Sequence, residues 1–227
     1  VKFTWSFSNL KAYEQCPKRY WHLKVQKDYR EAESEVLLHG KAVHRALELR
    51  LSKREPLPLH LRHLEDLCSS IADMDSGGRS SDASVTTEVR LAINREFKPV
   101  AFFANDVWCR AVLDAVVTKG GAKALVIDWK TGARVDEDFT QLEVASAILL
   151  HTMEELDEAT FRYIYTQVGA SVGGTISREG LTGVWATVLP RVTRMERAFE
   201  RSDFPARPCG LCRKYCPVTS CPHNGRV

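Results

Sequence analysis

The apolar positions change period along the chain, and the changes mark out its elements. Ser6 and Ser8 offer caps ahead of Leu10, Tyr13, Cys16 and Tyr20, whose spacing of three or four predicts an amphipathic helix that Pro17 kinks or divides. A second helix is expected over residues 34–52, with Val36, Gly40, Val43, His44, Leu47 and Leu51 along one face, and a third over 61–72. Residues 74–82 are rich in turn formers and predict a flexible loop. Beyond them the period drops to two: Val85, Thr87, Val89, Leu91 and Ile93 alternate with polar neighbours, as in a half-buried strand. Residues 107–118 and 123–130 flank Gly120-Gly121 and read as a hairpin. Thr140 is placed to cap a helix through Leu142, Ala145, Leu149 and Met153. A strand pair over 161–168 and 172–177 turns at Gly169 or at Gly173-Gly174, and a last helix over 182–202 bends at Pro190. The pattern therefore predicts an α/β fold, one domain over 1–227, with a central sheet flanked by helices, and together with the acidic residues considered below we read that sheet as mixed.

Composition narrows the function classes only a little. The chain of 227 residues is 44% hydrophobic and 27% charged, enough for one substantial core. A net charge of +3 permits a nucleic-acid partner without pointing to one. No apolar run approaches the roughly 20 residues of a membrane span, and no secretory signal opens the sequence, so the expected setting is cytoplasmic and away from membranes. Seven cysteines are more informative, because Cys209, Cys212, Cys216 and Cys221 crowd the end of the chain. In a reducing compartment closely spaced thiols read as metal ligands rather than disulfides. The four tail cysteines could hold a tetrahedral zinc by themselves, though their short mixed spacings strain a single-loop site, while an iron–sulfur cluster also takes four thiolates, often from distant segments. Cys68 and Cys109 read as small buried hydrophobes.

A second constellation is acidic. Asp128-Trp129-Lys130 closes the apolar run 124–127, and residues two apart on a strand share a face, so Asp128 and Lys130 point the same way. A carboxylate holds a divalent cation, and a neighbouring ammonium positions water or offsets phosphate charge. Asp114 is an isolated charge within the apolar run 111–117, and a buried carboxylate needs a partner, for which a cation is one candidate and solvent at an edge another. Hairpin register separates the possibilities. A two-residue Gly120-Gly121 turn sets Asp114 opposite Ile127 and splits the aspartates between faces. A three-residue loop that includes Ala122 sets Asp114 opposite Asp128. Upstream, Gly40 and His44 stand one helical turn apart. Downstream, Gln141 opens the helix that follows the Asp-x-Lys strand.

In order and spacing, Gly40 with His44, Asp114, Asp128 with Lys130, and Gln141 resemble the RecB-like branch of the PD-(D/E)XK nucleases, whose helix G-x-x-x-H, first Asp, D/E-x-K strand and Q-x-x-x-Y helix follow one another in the same way. The stretch from Val126 to Gly132 carries the resemblance most specifically. Two positions depart from it: Ala145 stands where the family's helix tyrosine belongs, and Val112 where a glycine often precedes the first Asp. The resemblance implies a restriction-endonuclease-like core with the catalytic sheet and following helix in 84–155, and Mg²⁺ or Mn²⁺ held by His44, Asp114, Asp128 and the Trp129 carbonyl. Asp114, Asp128, Lys130 and Gln141 are then catalytic. Glu88 is a weaker candidate for a second metal or an outer carboxylate.

At both ends the chain resembles the cluster-bearing, CRISPR-associated (Cas-four-type) exonucleases and their phage homologues. This implies a [4Fe-4S] cluster on Cys16, Cys212, Cys216 and Cys221, with Cys209 in reserve and zinc as the alternative metal. Segments 1–30 and 203–227 together then form a cap that joins the termini. The implied substrate is DNA with free ends, single strands in particular, with Lys18, Arg19 and Tyr20 as contacts and Arg191, Arg194 and Arg197 as further basic groups. Recombination or CRISPR-adaptation proteins are the implied partners. Two other readings remain: a DNA-end-binding subunit of such a complex, and a zinc-stabilised binding module without catalysis.

Overall fold

The computed structural model describes residues 2–76, 83–119 and 121–225. They fall into two compact units, Ser34–Ala186 and a second made of Val1–Glu33 with Thr187–Val227. The sequence pattern predicts one domain, and the resemblance at both ends implies a cap formed by 1–30 and 203–227.

The unit formed from both termini begins with α1 (Phe7–Gln15), where the Ser6 hydroxyl accepts the Asn9 N–H and so caps the first turn. Cys16 is extended and ends α1, Pro17 restarts the chain as the short α2 (Pro17–Tyr20), and a π-helical turn covers Trp21–Gln26. Pro17 thus divides the helix, as a residue without an N–H does at a first helical position.

The larger unit opens with α3 (Glu35–Lys53), capped by Ser34, whose hydroxyl accepts the Leu37 N–H. Val43, Leu47 and Leu51 form its buried stripe, whereas Val36, expected on that face, is exposed. A 3₁₀ turn at Leu59–Leu64 leads into α4 (Glu65–Ser76), which extends into the segment expected as a loop. The rest of that loop, 77–82, lies outside the described residues, as does Gly120.

Five strands follow, with one helix between the third and fourth: β1 (Ala83–Ile93), β2 (Cys109–Lys119), β3 (Lys123–Lys130), α5 (Thr140–Thr152), β4 (Glu158–Tyr165) and β5 (Ala170–Ser177). They make one mixed sheet in the order β1-β2-β3-β4-β5, antiparallel except for the β3–β4 pair. Only a parallel pair needs a crossover, and α5 provides it. Its residues Val144–Leu150 are all buried, as in a helix covered on every side. Thr140 is not the cap of α5 but its first residue. Asp138 accepts both the Thr140 N–H and its hydroxyl.

The β4–β5 turn falls at Gly169, whose φ of +66° suits glycine. Gly173 lies inside β5, where a Cβ would sit 1.9 Å from the Phe161 carbonyl oxygen. Val43, Leu47, Leu51, Leu64 and Ile71 pack with Ala115, Val117, Ile127 and Trp129 into a hydrophobic core that also takes in Cys68. Cys109 is likewise fully buried.

A helix of 21 residues, α6 (Leu181–Arg201), continues unbroken through Pro190, and a single turn, α7 (Cys212–Tyr215), lies in the tail. Among the described residues no helix is long and apolar enough to cross a membrane.

Candidate active site

Register decides whether the acidic residues can cooperate. β2 and β3 pair Thr118 with Ala124 and Ala115 with Ile127, the offset of the three-residue loop. One step further, where the ladder ends, Asp114 comes opposite Asp128. Asp114 there turns its carboxylate to the next strand, and Oδ2 accepts the Trp129 N–H at 2.8 Å. The same oxygen lies 3.2 Å from Nδ1 of His44. That hydrogen bond is the main reason the imidazole is held above its ordinary pKa, against the opposing effect of burial.

His44 reaches the sheet because α3 comes close at Gly40. A Cβ on Gly40 would meet the Thr131 hydroxyl oxygen at 3.3 Å, so the glycine one turn before the histidine makes room for the residue that follows β3.

Asp128 sits in a separate polar network. Gln141, in the first turn of α5, donates from Nε2 to Asp128 Oδ1 at 3.0 Å, and its Oε1 accepts from Lys130 Nζ at 3.4 Å. Lys130 Nζ is 2.8 Å from Asp128 Oδ2. That oxygen is out of contact with water, and the ammonium is its counter-charge. Burial pushes the Asp128 carboxyl above the usual range, Lys130 pulls it back, and Asp114 adds to the rise.

The residue that sequence reasoning missed is Tyr163. β4 runs parallel to β3 with Tyr163 opposite Asp128, and the Lys130 ammonium lies 4.4 Å from the centre of its ring. Ala145, at the position of the family's tyrosine, is buried among the apolar residues of α5. An aromatic ring thus supports the lysine from the neighbouring strand. Only the β3–β4 pairing reveals it, and no local pattern fixes that pairing. The loop between β3 and α5 is pinned by another β4 residue, since the Tyr165 hydroxyl accepts the Asp136 N–H at 2.6 Å.

Glu88 flanks the pair on the other side. Thr87 pairs with Ala115 and Val89 with Leu113, which leaves Glu88 facing Asp114. Its φ of +51° is left-handed, an uncommon and strained conformation for a side chain of this size. Burial and then the Asp114 charge push its carboxyl upward.

The donor set suits a hard divalent cation: two carboxylates, one imidazole and the backbone carbonyl that follows Asp128. The observation that favours one is the nearness of the Asp114 charge to the buried Asp128 carboxyl, a repulsion that a cation would offset. The side chains do not stand ready around a single point, because among the described residues no three His, Cys, Asp or Glu groups converge as a metal site. The structure gathers His44 of α3 with Asp114 of β2, and Asp128 and Lys130 of the adjoining β3 with Gln141 of α5.

The cysteines collect within the unit built from the termini. Cys16, Cys212, Cys216 and Cys221 line one small cavity, together with Lys18 and Arg19. Backbone N–H groups point at two of the sulfurs: Arg207 donates to Cys16 Sγ at 3.4 Å and Cys209 to Cys212 Sγ at 3.2 Å. Cys209 is exposed outside that lining, its own sulfur 3.9 Å from that of Cys212.

Tyr20 requires a correction. It is 3% exposed and packs edge-on against Tyr13 and Phe199, and burial raises its phenol to about 12, so its ring is a core ring and not a stacking platform for a base. Arg19 is ion-paired with Glu31, and Arg191 is held by both carboxylate oxygens of Glu14.

No curated protein matches the chain. Among solved structures, one from Eubacterium rectale described as a candidate exonuclease aligns over 92% of this chain and 85% of its own, with a TM-score of 0.52 and 14% identity. The structure of SSO0001 aligns over 99% and 88%, with a TM-score of 0.45 and 16% identity. The family described as the PD-(D/E)XK nuclease superfamily matches residues 4–222, and this chain, with its five-stranded mixed sheet, belongs to it.

Proposed function

We propose that the protein is a divalent-metal-dependent deoxyribonuclease that works from DNA ends, with single strands as its preferred substrate. The observation that carries this reading is the pairing of Asp128 with Lys130 and Gln141 beside the Asp114–His44 contact, at the point where the β2–β3 ladder ends. The similarity in fold to a candidate exonuclease supports action from ends.

Asp114, Asp128, His44 and the Trp129 carbonyl would hold Mg²⁺ or Mn²⁺, which supplies charge neutralisation at the phosphate and acidifies water. The chain's own groups do the rest. Lys130 has three N–H donors and no acceptor, and its partners Asp128, Gln141 and the Tyr163 ring fix where Nζ stands. It therefore orients the attacking water and donates to a phosphate oxygen. In the reaction the water oxygen joins phosphorus, one P–O ester bond breaks, and the water's proton ends on the departing oxygen. Asp114 holds His44 in one orientation through Nδ1. Incubation of end-labelled DNA with Mg²⁺, Mn²⁺ or EDTA tests the reading: cleavage should need the metal and vanish in Asp128→Ala. Binding without cleavage under every metal would favour a DNA-end-binding subunit instead.

The four thiols that share a cavity support a second cofactor, a [4Fe-4S] cluster on Cys16, Cys212, Cys216 and Cys221 with Cys209 outside it, and N–H groups directed at sulfur suit such a cluster. Visible absorption with iron and sulfide analysis separates it from zinc.

A further inference from the structure

The exposed face of the β1–β2 ribbon continues past the carboxylates. Along β1, Ser84, Thr86, Glu88 and Arg90 are exposed, while Val85, Thr87 and Val89 between them are less so. Across the ribbon Arg90 pairs with Val112, which is 49% exposed, and Ala92 pairs with Arg110. The loop between the strands lays two aromatic rings against these arginines. The Arg90 guanidinium is 5.9 Å from the Phe102 ring centre, and that of Arg110 is 5.3 Å from Phe102 and 5.7 Å from Phe103. Arg110 is fixed there, because its Nε donates to the Phe102 carbonyl at 2.7 Å. Phe102 meets Phe103 edge-on at 5.1 Å, and Phe103 is 76% exposed.

A single exposed ring is common at protein surfaces, but Phe103 offers an open apolar face with Arg110 beside it and Arg90 on the ring it abuts, a combination suited to something flat and anionic. The position of the ring suggests what that is. Arg90 is near enough to Glu88 for the two charges to interact, and Glu88 faces Asp114, so carboxylates and arginines form one continuous strip. From Asp114 to Arg110 is four strand residues, about 13 Å. A substrate strand held for scission at Asp114 and Asp128 would run along this strip.

We propose that Phe103, with Arg110 beside it and Arg90 against the adjoining Phe102 ring, is a stacking site for an unpaired nucleobase of the substrate strand, with the arginines on its phosphates. This rests on the nuclease reading and extends it, since only a strand whose bases are unpaired can stack in this way. Base–aromatic stacking tolerates any sequence, and arginines add backbone contacts without base preference.

The test is fluorescence anisotropy of the full chain in EDTA with two fluorescein-labelled DNA strands of equal length, one of thymidines and one with abasic sugars. The wild type should bind the thymidine strand more tightly. Phe103→Ala should weaken that binding about 5- to 150-fold while leaving the abasic strand unchanged, and Phe103→Trp should restore it. Arg90→Ala and Arg110→Ala should each lower the slope of log affinity against log salt by about 0.7. Equal affinity of the wild type for both strands would overturn the proposal, as would Phe103→Ala binding thymidines like the wild type or losing both strands alike. Phe103 is too exposed for its loss to unfold the chain, and a melting curve checks this. If the wild type still cleaves end-labelled DNA with Mn²⁺ in any of those cases, the nuclease reading stands and only the stacking site falls. If it cleaves nothing with any divalent metal, both fall.

Discussion

The Lys130 ammonium lies 4.4 Å from the centre of the Tyr163 ring, on the strand next to its own. The aromatic face stabilises a cation there by about 0.5 to 2 kcal/mol. Tyr163→Phe keeps the face and loses only the long hydroxyl contact to the Asp138 carbonyl, so it should cleave DNA nearly as the wild type does. Tyr163→Leu removes the face and should lower kcat about 2- to 30-fold with KM little changed, because the lysine acts on the reacting phosphate. Steady-state cleavage of a labelled strand checks both, and an unchanged kcat in Tyr163→Leu would show that the ring only fills space.

The contact between Lys130 and Asp128 predicts a pH effect on folding. Asp128 is buried, and burial pushes its carboxyl up, so the ionised form is tolerated only beside the ammonium. In Lys130→Met that carboxylate loses its counter-charge and its folded-state pKa rises further above the unfolded value near 3.9. A raised carboxyl pKa means that the folded state binds the proton more tightly. Stability then falls as pH rises between the two values and recovers on acidification. Lys130→Met should therefore lose cleavage, melt below the wild type at neutral pH and close the gap as pH falls towards 5. Asp128→Asn/Lys130→Met, with no buried charge, should show no such pH dependence. Melting curves of the two variants side by side test this.

His44 titrates in the opposite sense. Its hydrogen bond to Asp114 lifts the imidazole above 6.5, which favours the protonated ring in the folded, metal-free protein. Its contribution to stability is fully present below 6.5 and is lost as pH rises through the folded-state value. Asp114→Asn should bring the His44 pKa down in an NMR titration. A divalent cation held by the imidazole needs the neutral ring, so adding Mn²⁺ or Mg²⁺ to the wild type near pH 7 should release protons. A His44 pKa indifferent to Asp114→Asn would break the link.

Local chemistry was legible in the sequence where it depends on neighbours in the chain. Asp128 with Lys130, Ser6 as a helix cap, and Cys68 and Cys109 as buried thiols all follow from spacing and type. What depends on pairing between distant strands was not. The two readings of the β2–β3 hairpin differed by one residue of loop, and only the fold selects the one that brings Asp114 to Asp128. Tyr163 and the Arg110–Phe103 patch escaped for the same reason, since parallel pairing and loop docking leave no periodic trace. Tyr20 misled because an aromatic beside basic residues reads alike whether the ring faces water or core.

The thiol cavity and the carboxylates should respond to different insults. Cys16 supplies one of four thiols to a cavity whose other three thiols come from the tail, so Cys16→Ala should bleach the purified protein and lower its melting temperature. Asp114→Ala should keep the colour and lose cleavage, because hard carboxylates and soft thiolates select different metals. An unaltered visible spectrum in Cys16→Ala would remove Cys16 from the cluster.

Gly40 gives the sharpest steric test, because helix propensity and packing pull in opposite directions there. In the interior of α3 a glycine costs roughly 1 kcal/mol relative to alanine, so Gly40→Ala should stabilise the helix if propensity alone mattered. Its Cβ, however, would stand 3.3 Å from the Thr131 hydroxyl oxygen, and unless that side chain turns aside, α3 or the end of β3 has to give by a few tenths of an ångström. His44 lies one turn further along α3 and Lys130 immediately before Thr131, so such a shift falls on the two sides of the site at once. Gly40→Ala should therefore cleave DNA about 10-fold or more slowly, in the direction expected when catalytic groups are displaced by a fraction of an ångström. Thr131→Ala removes the obstructing oxygen. The double variant Gly40→Ala/Thr131→Ala should recover cleavage relative to Gly40→Ala and melt higher than Thr131→Ala alone, because it keeps the helix-forming residue without the clash. If the double variant stayed as slow as Gly40→Ala, the glycine would be serving something other than the approach of Thr131.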